Sequence, residues 1–127
     1  MRYLFDSNTL IVAIMGSSPA LRDHMAACDQ GDIVTSAIVY AEVAHGSMRG
    51  KPPALDVLAL FVEQVDVLPF DQAASTAYAS LPFVRGSYDR LIAAHALSLG
   101  LTVVTANTQD FADIPGLTVE NWTLPLP

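Results

Sequence analysis

Short apolar runs alternate along the chain with longer stretches in which apolar residues recur at helical spacing. The apolar runs predict strands, at residues 3–5, 33–35, 65–68, 101–104 and 117–122. The stretches between them predict helices, at residues 7–15, 19–30, 36–46, 52–62, 71–81 and 88–99, with a polar turn or short helix at 107–111. Strands that are apolar throughout are typical of a parallel sheet covered on both faces. We therefore predict one α/β domain over residues 1–127, with three layers: helices flank a central parallel sheet of four or five strands.

Capping and helix-breaking residues mark several of the predicted boundaries. Ser7 and Asn8 are the predicted caps of the first helix, and Gly16 is predicted to end it. The pair Pro52–Pro53 is predicted to open the fourth helix, because proline is favoured in the first helical turn.

Composition and charge restrict the classes of function. The chain has 127 residues, of which 52% are hydrophobic, and 6 Lys and Arg against 13 Asp and Glu give a net charge of −7. A chain with so few cations is poorly suited to hold long duplex DNA, so any nucleic acid would need a metal ion or a basic partner. The single cysteine, Cys28, excludes an internal disulfide. We see neither a signal peptide nor an apolar run of about 20 residues, so we expect a cytoplasmic protein without a membrane segment.

Polar side chains follow two of the predicted strands. Asp6 and Asn8 come after the first strand, and Thr105, Asn107 and Asp110 come after the fourth. Ligands of parallel α/β sheets bind beyond the carboxyl ends of the strands. We therefore expect these side chains to face one cleft.

Two further carboxylates lie on helices that are otherwise largely apolar: Glu42 on the third and Asp89 on the last. Each acid also has a plainer interpretation, since Asp6 could cap a helix, Asp89 could favour a helix dipole and Glu42 could face solvent. Ionised carboxylates near a core cost several kcal/mol unless a cation compensates them. Their combination favours a site for Mg²⁺ or Mn²⁺, which prefer oxygen ligands. His95, within an apolar helical stretch, is predicted to be a packing residue rather than a base.

Four blocks of sequence, in order along nearly the whole chain, resemble a known family. They are Tyr3–Ile11 (YLFDSNTLI), Thr35–Glu42 (TSAIVYAE), Tyr88–Ala96 (YDRLIAAHA) and Leu101–Phe111 (LTVVTANTQDF). Together they resemble the PIN-domain ribonucleases, specifically the VapC toxins of bacterial type II toxin–antitoxin pairs.

The resemblance implies an endoribonuclease that depends on Mg²⁺ or Mn²⁺. Asp6, Glu42 and Asp89 match the acidic triad of the family and would bind the metal. Asn107 stands where many members carry a fourth acid, and Asp110 follows three residues later, so either could complete the site. The resemblance also implies a homodimer, and a VapB-type antitoxin that fills the acidic groove and supplies the binding to DNA.

The resemblance also implies roles for the other polar residues. Asn8, Thr105 and Asn107 would position water or the RNA substrate. Arg85 and Arg90 are the cations nearest in sequence that could contact a phosphate.

Two other functions remain open at this stage. The run Phe5-Asp6-Ser7-Asn8-Thr9 is similar to the nucleophile motif of haloacid-dehalogenase-like phosphatases, in which Asp6 would be the nucleophile. The chain could also be a PIN-like binding module without catalytic activity, and such a module would have no affinity for metal.

Overall fold

The sheet is built on both sides of a central strand, β1 (Tyr3–Phe5), whose Leu4 and Phe5 are fully buried. It pairs in parallel with β2 (Ile33–Ser36) on one side and with β4 (Thr102–Val104) on the other. The outer strands are β3 (Asp66–Leu68), beside β2, and β5 (Val119–Glu120), beside β4. The order is therefore β3-β2-β1-β4-β5, with every pairing parallel. This computed structural model describes residues 1–127, and it confirms the predicted α/β fold.

Six helices flank the sheet and connect its strands. They are α1 (Ser7–Met15), α2 (Pro19–Ala26), α3 (Ala37–Ser47), α4 (Leu55–Phe61), α5 (Gln72–Ala79) and α6 (Tyr88–Leu99), and a 3₁₀ helix (Thr108–Phe111) precedes β5. Gly16 and Gly100 end α1 and α6 in the left-handed conformation, at φ +67° in both cases, which glycine adopts without strain. None of the helices combines the length and the hydropathy needed to span a bilayer.

Several predicted boundaries differ from the structure, among them the end of α2, which lies at Ala26 rather than near residue 30. The cap of α1 is Asp6 rather than Ser7 or Asn8, because its carboxylate accepts a hydrogen bond from the Thr9 amide. Helix α4 begins at Leu55, beyond the proline pair. Strand β5 is shorter than predicted, since the chain leaves the sheet after Glu120. The Trp122 ring then packs edge-on against the rings of Tyr3 and Phe5.

The core lies between the sheet and the helices on its faces. Leu4 and Phe5 of β1, with Val103 and Val104 of β4, are completely buried. Burial on both faces explains why these strands are apolar throughout rather than alternating.

Three strand ends are fastened together at one edge of the sheet. In the register of the sheet, Phe5 lies between Thr35 and Val104. The Thr35 hydroxyl donates to the Phe5 carbonyl at 2.9 Å, and the Thr9 hydroxyl donates to the Val104 carbonyl at 3.0 Å. The residues that follow these three strands therefore begin at the same level.

Candidate active site

Asp6 follows β1 directly and is 4% exposed. Its Oδ1 accepts a hydrogen bond from the Thr9 amide at 2.9 Å, so the interpretation as a helix cap is correct. The cap uses only one carboxylate oxygen and fixes the side chain at the edge of the sheet. Capping therefore does not exclude a second role for Oδ2.

Glu42 is half-buried on α3 and is oriented by a residue of α1. The Ser7 hydroxyl donates to Glu42 Oε1 at 2.8 Å. This contact does not fit the interpretation that the Glu42 side chain extends freely into solvent. Ser7 was not predicted as a site residue, and the one signal for it was its position directly after Asp6.

Asp89, in the first turn of α6, lies near enough to the other acids for their charges to shift its pKa. Its pKa is raised from 3.8 to about 6. Burial is the largest cause, followed by the negative charges of Asp110, Asp6 and Glu42. The structure therefore brings together four of the predicted acids from four parts of the chain.

Asn107 and Asp110, the two candidates for the fourth site residue, both follow β4 and have different surroundings. Asp110 is the charge that raises the pKa of Asp89 most, whereas the Asn107 side chain is exposed and makes no hydrogen bond. The Asn107 amide donates to Thr105 Oγ1, and the Asp110 amide donates to the Asn107 carbonyl, each at 3.0 Å. Thr105 is 1% exposed, so it shapes this turn and has no surface for substrate.

The two predicted arginines have different surroundings. Arg90 is buried, and its guanidinium donates to the carboxylate of Asp113, so it does not fit the expected contact with a phosphate. Arg85 is exposed in the loop before α6 and forms no ion pair, so it remains free for a phosphate.

The Arg90–Asp113 ion pair joins the two segments that carry Asp89 and Asp110. Arg90 follows Asp89 on α6, and Asp113 follows Asp110 just beyond the 3₁₀ helix. Nη1 of the same guanidinium is buried without a partner, so Asp113 is its only ionic contact. The pair holds the two segments together although Asp89 and Asp110 repel each other.

Two clefts lie on either side of Glu42. The first, of about 350 Å³, is lined by Ile38, Ala41, Glu42, His45 and Tyr88. The second, of about 260 Å³, is more polar, and its walls include Ser7, Asn8, Glu42, His45 and Lys51. Asn8 thus lines a cleft beside Glu42, but the other polar residues expected to share its cleft line neither of the two: Asp6, Thr105, Asn107 and Asp110. Lys51 was not predicted, because its sequence neighbours Gly50 and Pro52 indicate only a turn.

The chemistry of the acid cluster fits a hard divalent cation, since every converging side chain offers carboxylate oxygens. In their present positions, no three His, Cys, Asp or Glu side chains are arranged to hold a metal ion. A cation would therefore have to draw the carboxylates together. The raised pKa of Asp89 reflects its burial and, after that, the repulsion by neighbouring acids, which such a cation would reduce.

His95 lies beneath the cluster and is 1% exposed. Its Nδ1 and the Ser36 hydroxyl share a hydrogen bond of 2.8 Å, and its ring packs edge-on against Phe70. Burial lowers the pKa of His95, although Asp71 and the Pro69 backbone partly oppose this. The prediction of a packing histidine is confirmed.

Comparison with known proteins identifies the family. Residues 3–117 match the model of the PIN domain family. This chain belongs to the PIN domain family. The match includes β1 to β4 and ends before β5. Every acid of the cluster lies within it.

Several relatives and solved structures that are similar to this PIN domain are named VapC or VapBC. The tRNA(fMet)-specific endonuclease VapC of Shigella flexneri is 31% identical, and the alignment covers 97% of this chain and 99% of the relative. Ribonuclease VapC2 of Rickettsia felis is 28% identical, with 96% and 98% covered. The crystal structure of VapBC2 from Rickettsia felis, bound to a promoter DNA fragment, superposes with a TM-score of 0.85 at 26% identity over 96% of this chain and 99% of that one.

Replacing Asp89 by Asn should stabilise this PIN domain near neutral pH. The folded chain holds the Asp89 proton more tightly than the unfolded chain, so ionisation lowers stability as the pH rises from about 4 to about 6. We expect Asp89→Asn to raise the free energy of unfolding by about 1 kcal/mol near pH 7, a value discounted because the side chain is half-exposed. Below about pH 3.5, where both states are protonated, the gain should vanish.

Urea denaturation at a series of pH values measures this effect. Asp23→Asn, an exposed acid on α2, is the matched control and should show no such pH-dependent gain. If wild type and Asp89→Asn kept parallel stability curves from acid to neutral pH, the coupling within the cluster would be refuted.

Removing the partner of the buried arginine should destabilise this PIN domain. Asp113→Ala leaves the Arg90 guanidinium buried without an ionic contact, and we expect a loss of about 2 kcal/mol in the free energy of unfolding. The midpoint of urea denaturation measures it. Asp66→Ala, at an exposed acid of β3 without an ion pair, should change stability by less than about 0.5 kcal/mol. Equal losses in the two variants would contradict a role for the pair.

Proposed function

We propose that this chain is an endoribonuclease that depends on Mg²⁺ or Mn²⁺ and acts as the toxin of a toxin–antitoxin pair. The observation that carries the proposal is the convergence of Asp6, Glu42, Asp89 and Asp110 beyond the ends of β1 and β4, where burial and the charges of the other three raise the pKa of Asp89. The nuclease activity is supported by the relatives, which are named ribonuclease or endonuclease VapC over nearly their whole length. The match to the PIN domain family disfavours the phosphatase alternative.

The proposed role of each acid follows from the contacts that hold its side chain. Asp6 and Asp89 would be the principal metal ligands, since Asp6 is fixed by the Thr9 amide and Asp89 carries the strongest unrelieved repulsion. Glu42, oriented by the Ser7 hydroxyl, would hold the attacking water in position. A bound divalent cation supplies a more acidic water and neutralises charge on the scissile phosphate. Asp110 would add the fourth carboxylate to this cluster.

The polar residues at the rim would contact the RNA. Asn8 and Asn107 have exposed amide side chains, so both can donate to phosphate or ribose oxygens. Arg85 offers an unpaired guanidinium for a phosphate. A cation at the acids and these few donors would together offset the repulsion between RNA and a chain of net charge −7.

A VapB-type antitoxin would be the inhibitor. Related solved structures are named as VapBC complexes, from Rickettsia felis and from Haemophilus influenzae. An acidic cleft favours a basic side chain of an antitoxin tail, and such a side chain would replace the metal as counter-charge. Binding to DNA would come through the antitoxin, since this chain has few free cations. We also propose that two copies associate, and that they work in the cytoplasm, where the free Cys28 stays reduced.

Induction in bacteria tests the nuclease. We expect the wild-type chain to arrest growth and to produce new RNA fragments on a gel, and Asp6→Ala to do neither, because it removes a principal ligand. Asp23→Asn should behave like wild type, since that acid lies on α2 away from the cluster. Fragments of equal yield from wild type and Asp6→Ala would sink the assignment of the site. An absence of fragments and arrest from all three soluble proteins would favour a binding module.

Titration with Mn²⁺ tests the metal independently of activity. A ligand that binds only the folded chain stabilises it by about 2.7 kcal/mol at a hundredfold excess over its Kd. We expect Mn²⁺ to raise the melting temperature of wild type and of Asp23→Asn. Asp89→Asn should melt higher than wild type without metal and gain little with it. A melting temperature unaffected by Mn²⁺ in wild type would refute metal binding at the cluster.

A further inference from the structure

Glu42 lines both clefts, together with other residues of α3. Ile38, Ala41, Glu42 and His45 follow the spacing i, i+3, i+4, i+7, which places them on one side of a helix. Tyr88, the first residue of α6, closes the same cleft from the opposite side. Since Asp89 follows Tyr88 directly, the cleft opens beside the acid cluster.

The lining of the first cleft matches a nucleobase. Ile38 and Ala41 offer apolar surface, and the Tyr88 ring is 57% exposed, so much of its aromatic surface is in contact with solvent. Glu42 and His45 add hydrogen-bonding groups at the wall. A base has two apolar faces that stack on aromatic rings and a polar edge that needs hydrogen bonds, and it can enter a cleft only when it is unpaired.

The lining of the second cleft matches a phosphate group. Lys51 is the only lysine of the sequence and forms no ion pair. Its amide donates to the Gly46 carbonyl at 3.0 Å, at the end of the helix that carries Glu42. Its Cβ and Cδ lie 3.7 Å from the position a Cβ on Gly46 would take, so its stem runs along the helix end. Lys51 and Asn8 line the same cleft.

We propose that the two clefts bind one unpaired stretch of RNA on both sides of Glu42, with a base stacked on Tyr88 in the first cleft and a backbone phosphate held by Lys51 in the second. The proposal rests on the proposed nuclease function and adds to it the form of the substrate and two substrate-binding residues. Tyr88 selects unpaired RNA, because a base within a duplex cannot reach its ring. Lys51 supplies a phosphate contact that is independent of sequence.

Binding of labelled RNA measures both contacts without relying on cleavage. The variants are made in an Asp89→Asn chain, without metal, and titrated with short single-stranded RNA that carries 2-aminopurine at one position in turn. We expect the parent to change the 2-aminopurine fluorescence at one position, Tyr88→Phe to preserve this change, and Tyr88→Leu to abolish it and weaken binding about tenfold or more. Lys51→Met should lower the slope of log affinity against log salt by about 0.7, while Lys51→Arg retains it. Duplex RNA should bind all of them weakly.

Cleavage by the active chain provides a second measurement. Tyr88→Leu and Lys51→Met should raise KM and leave kcat almost unchanged, because neither side chain belongs to the acid cluster. Melting temperatures close to wild type confirm that both variants fold, as expected for two exposed side chains.

The outcomes separate the subsite from the nuclease. RNA cleavage by wild type, with Tyr88→Leu and Lys51→Met binding RNA as their parent does, would overturn the subsite alone. If Tyr88→Leu weakened binding of the antitoxin and left RNA unchanged, the cleft would belong to that partner, which also overturns the proposal. A wild type that neither binds nor cuts RNA would overturn the nuclease and the subsite together. Loss of RNA binding in both variants of a chain that does not cut would support the subsite and refute the nuclease.

Discussion

Mutual repulsion among carboxylates is the constraint on which the site depends. Burial and the charges of Asp110, Asp6 and Glu42 together raise the pKa of Asp89 to about 6. A flexible surface would separate these side chains into water. A parallel sheet prevents this, because β1 and β4 are neighbours in register and both end at the same edge. The acids that follow them are therefore brought together by strands buried on both faces, whose packing outweighs the repulsion.

The sheet brings the acids to one edge, and individual hydrogen bonds and one ion pair then fix their positions. Asp6 is fixed by the Thr9 amide, and Glu42 by the Ser7 hydroxyl. Asp110 has no such contact of its own. It is held through the turn that Thr105 organises and through the ion pair between Arg90 and Asp113, which ties the 3₁₀ segment to α6. Asp6 and Glu42 are thus oriented by uncharged neighbours, so neither contact neutralises the negative charge of the cluster.

The sequence alone was sufficient for the order of elements and for the acids, but not for their surroundings. The strands are continuous apolar runs, and Asp6 and Glu42 stand out against apolar neighbours, so periodicity and position were enough. The orientation of Glu42 depends on Ser7, 35 residues away, and the burial of Arg90 depends on Asp113, 23 residues away. Neither partner is implied by any local pattern. Arg90 was therefore interpreted as a phosphate contact, whereas its ion pair with Asp113 joins α6 to the segment after the 3₁₀ helix. The position of Lys51 could not be derived from the turn sequence around it.

The proposed nuclease function requires an acidic chain with 6 Lys and Arg to bind an anionic polymer. Arg2 pairs with Asp32 and Arg90 with Asp113, so these two guanidinium groups already have carboxylate partners. The other four cations have no ion pair, and of these only Lys51 lines a cleft beside the acids. Under the proposed function, attraction over the whole surface would therefore be weak, and RNA would be held by a few directed contacts, strengthened where a cation fills the acid cluster. The same charge distribution would suit a basic antitoxin tail, because a tail that enters the cluster would replace that cation. Inhibition and catalysis would then compete for one set of carboxylates.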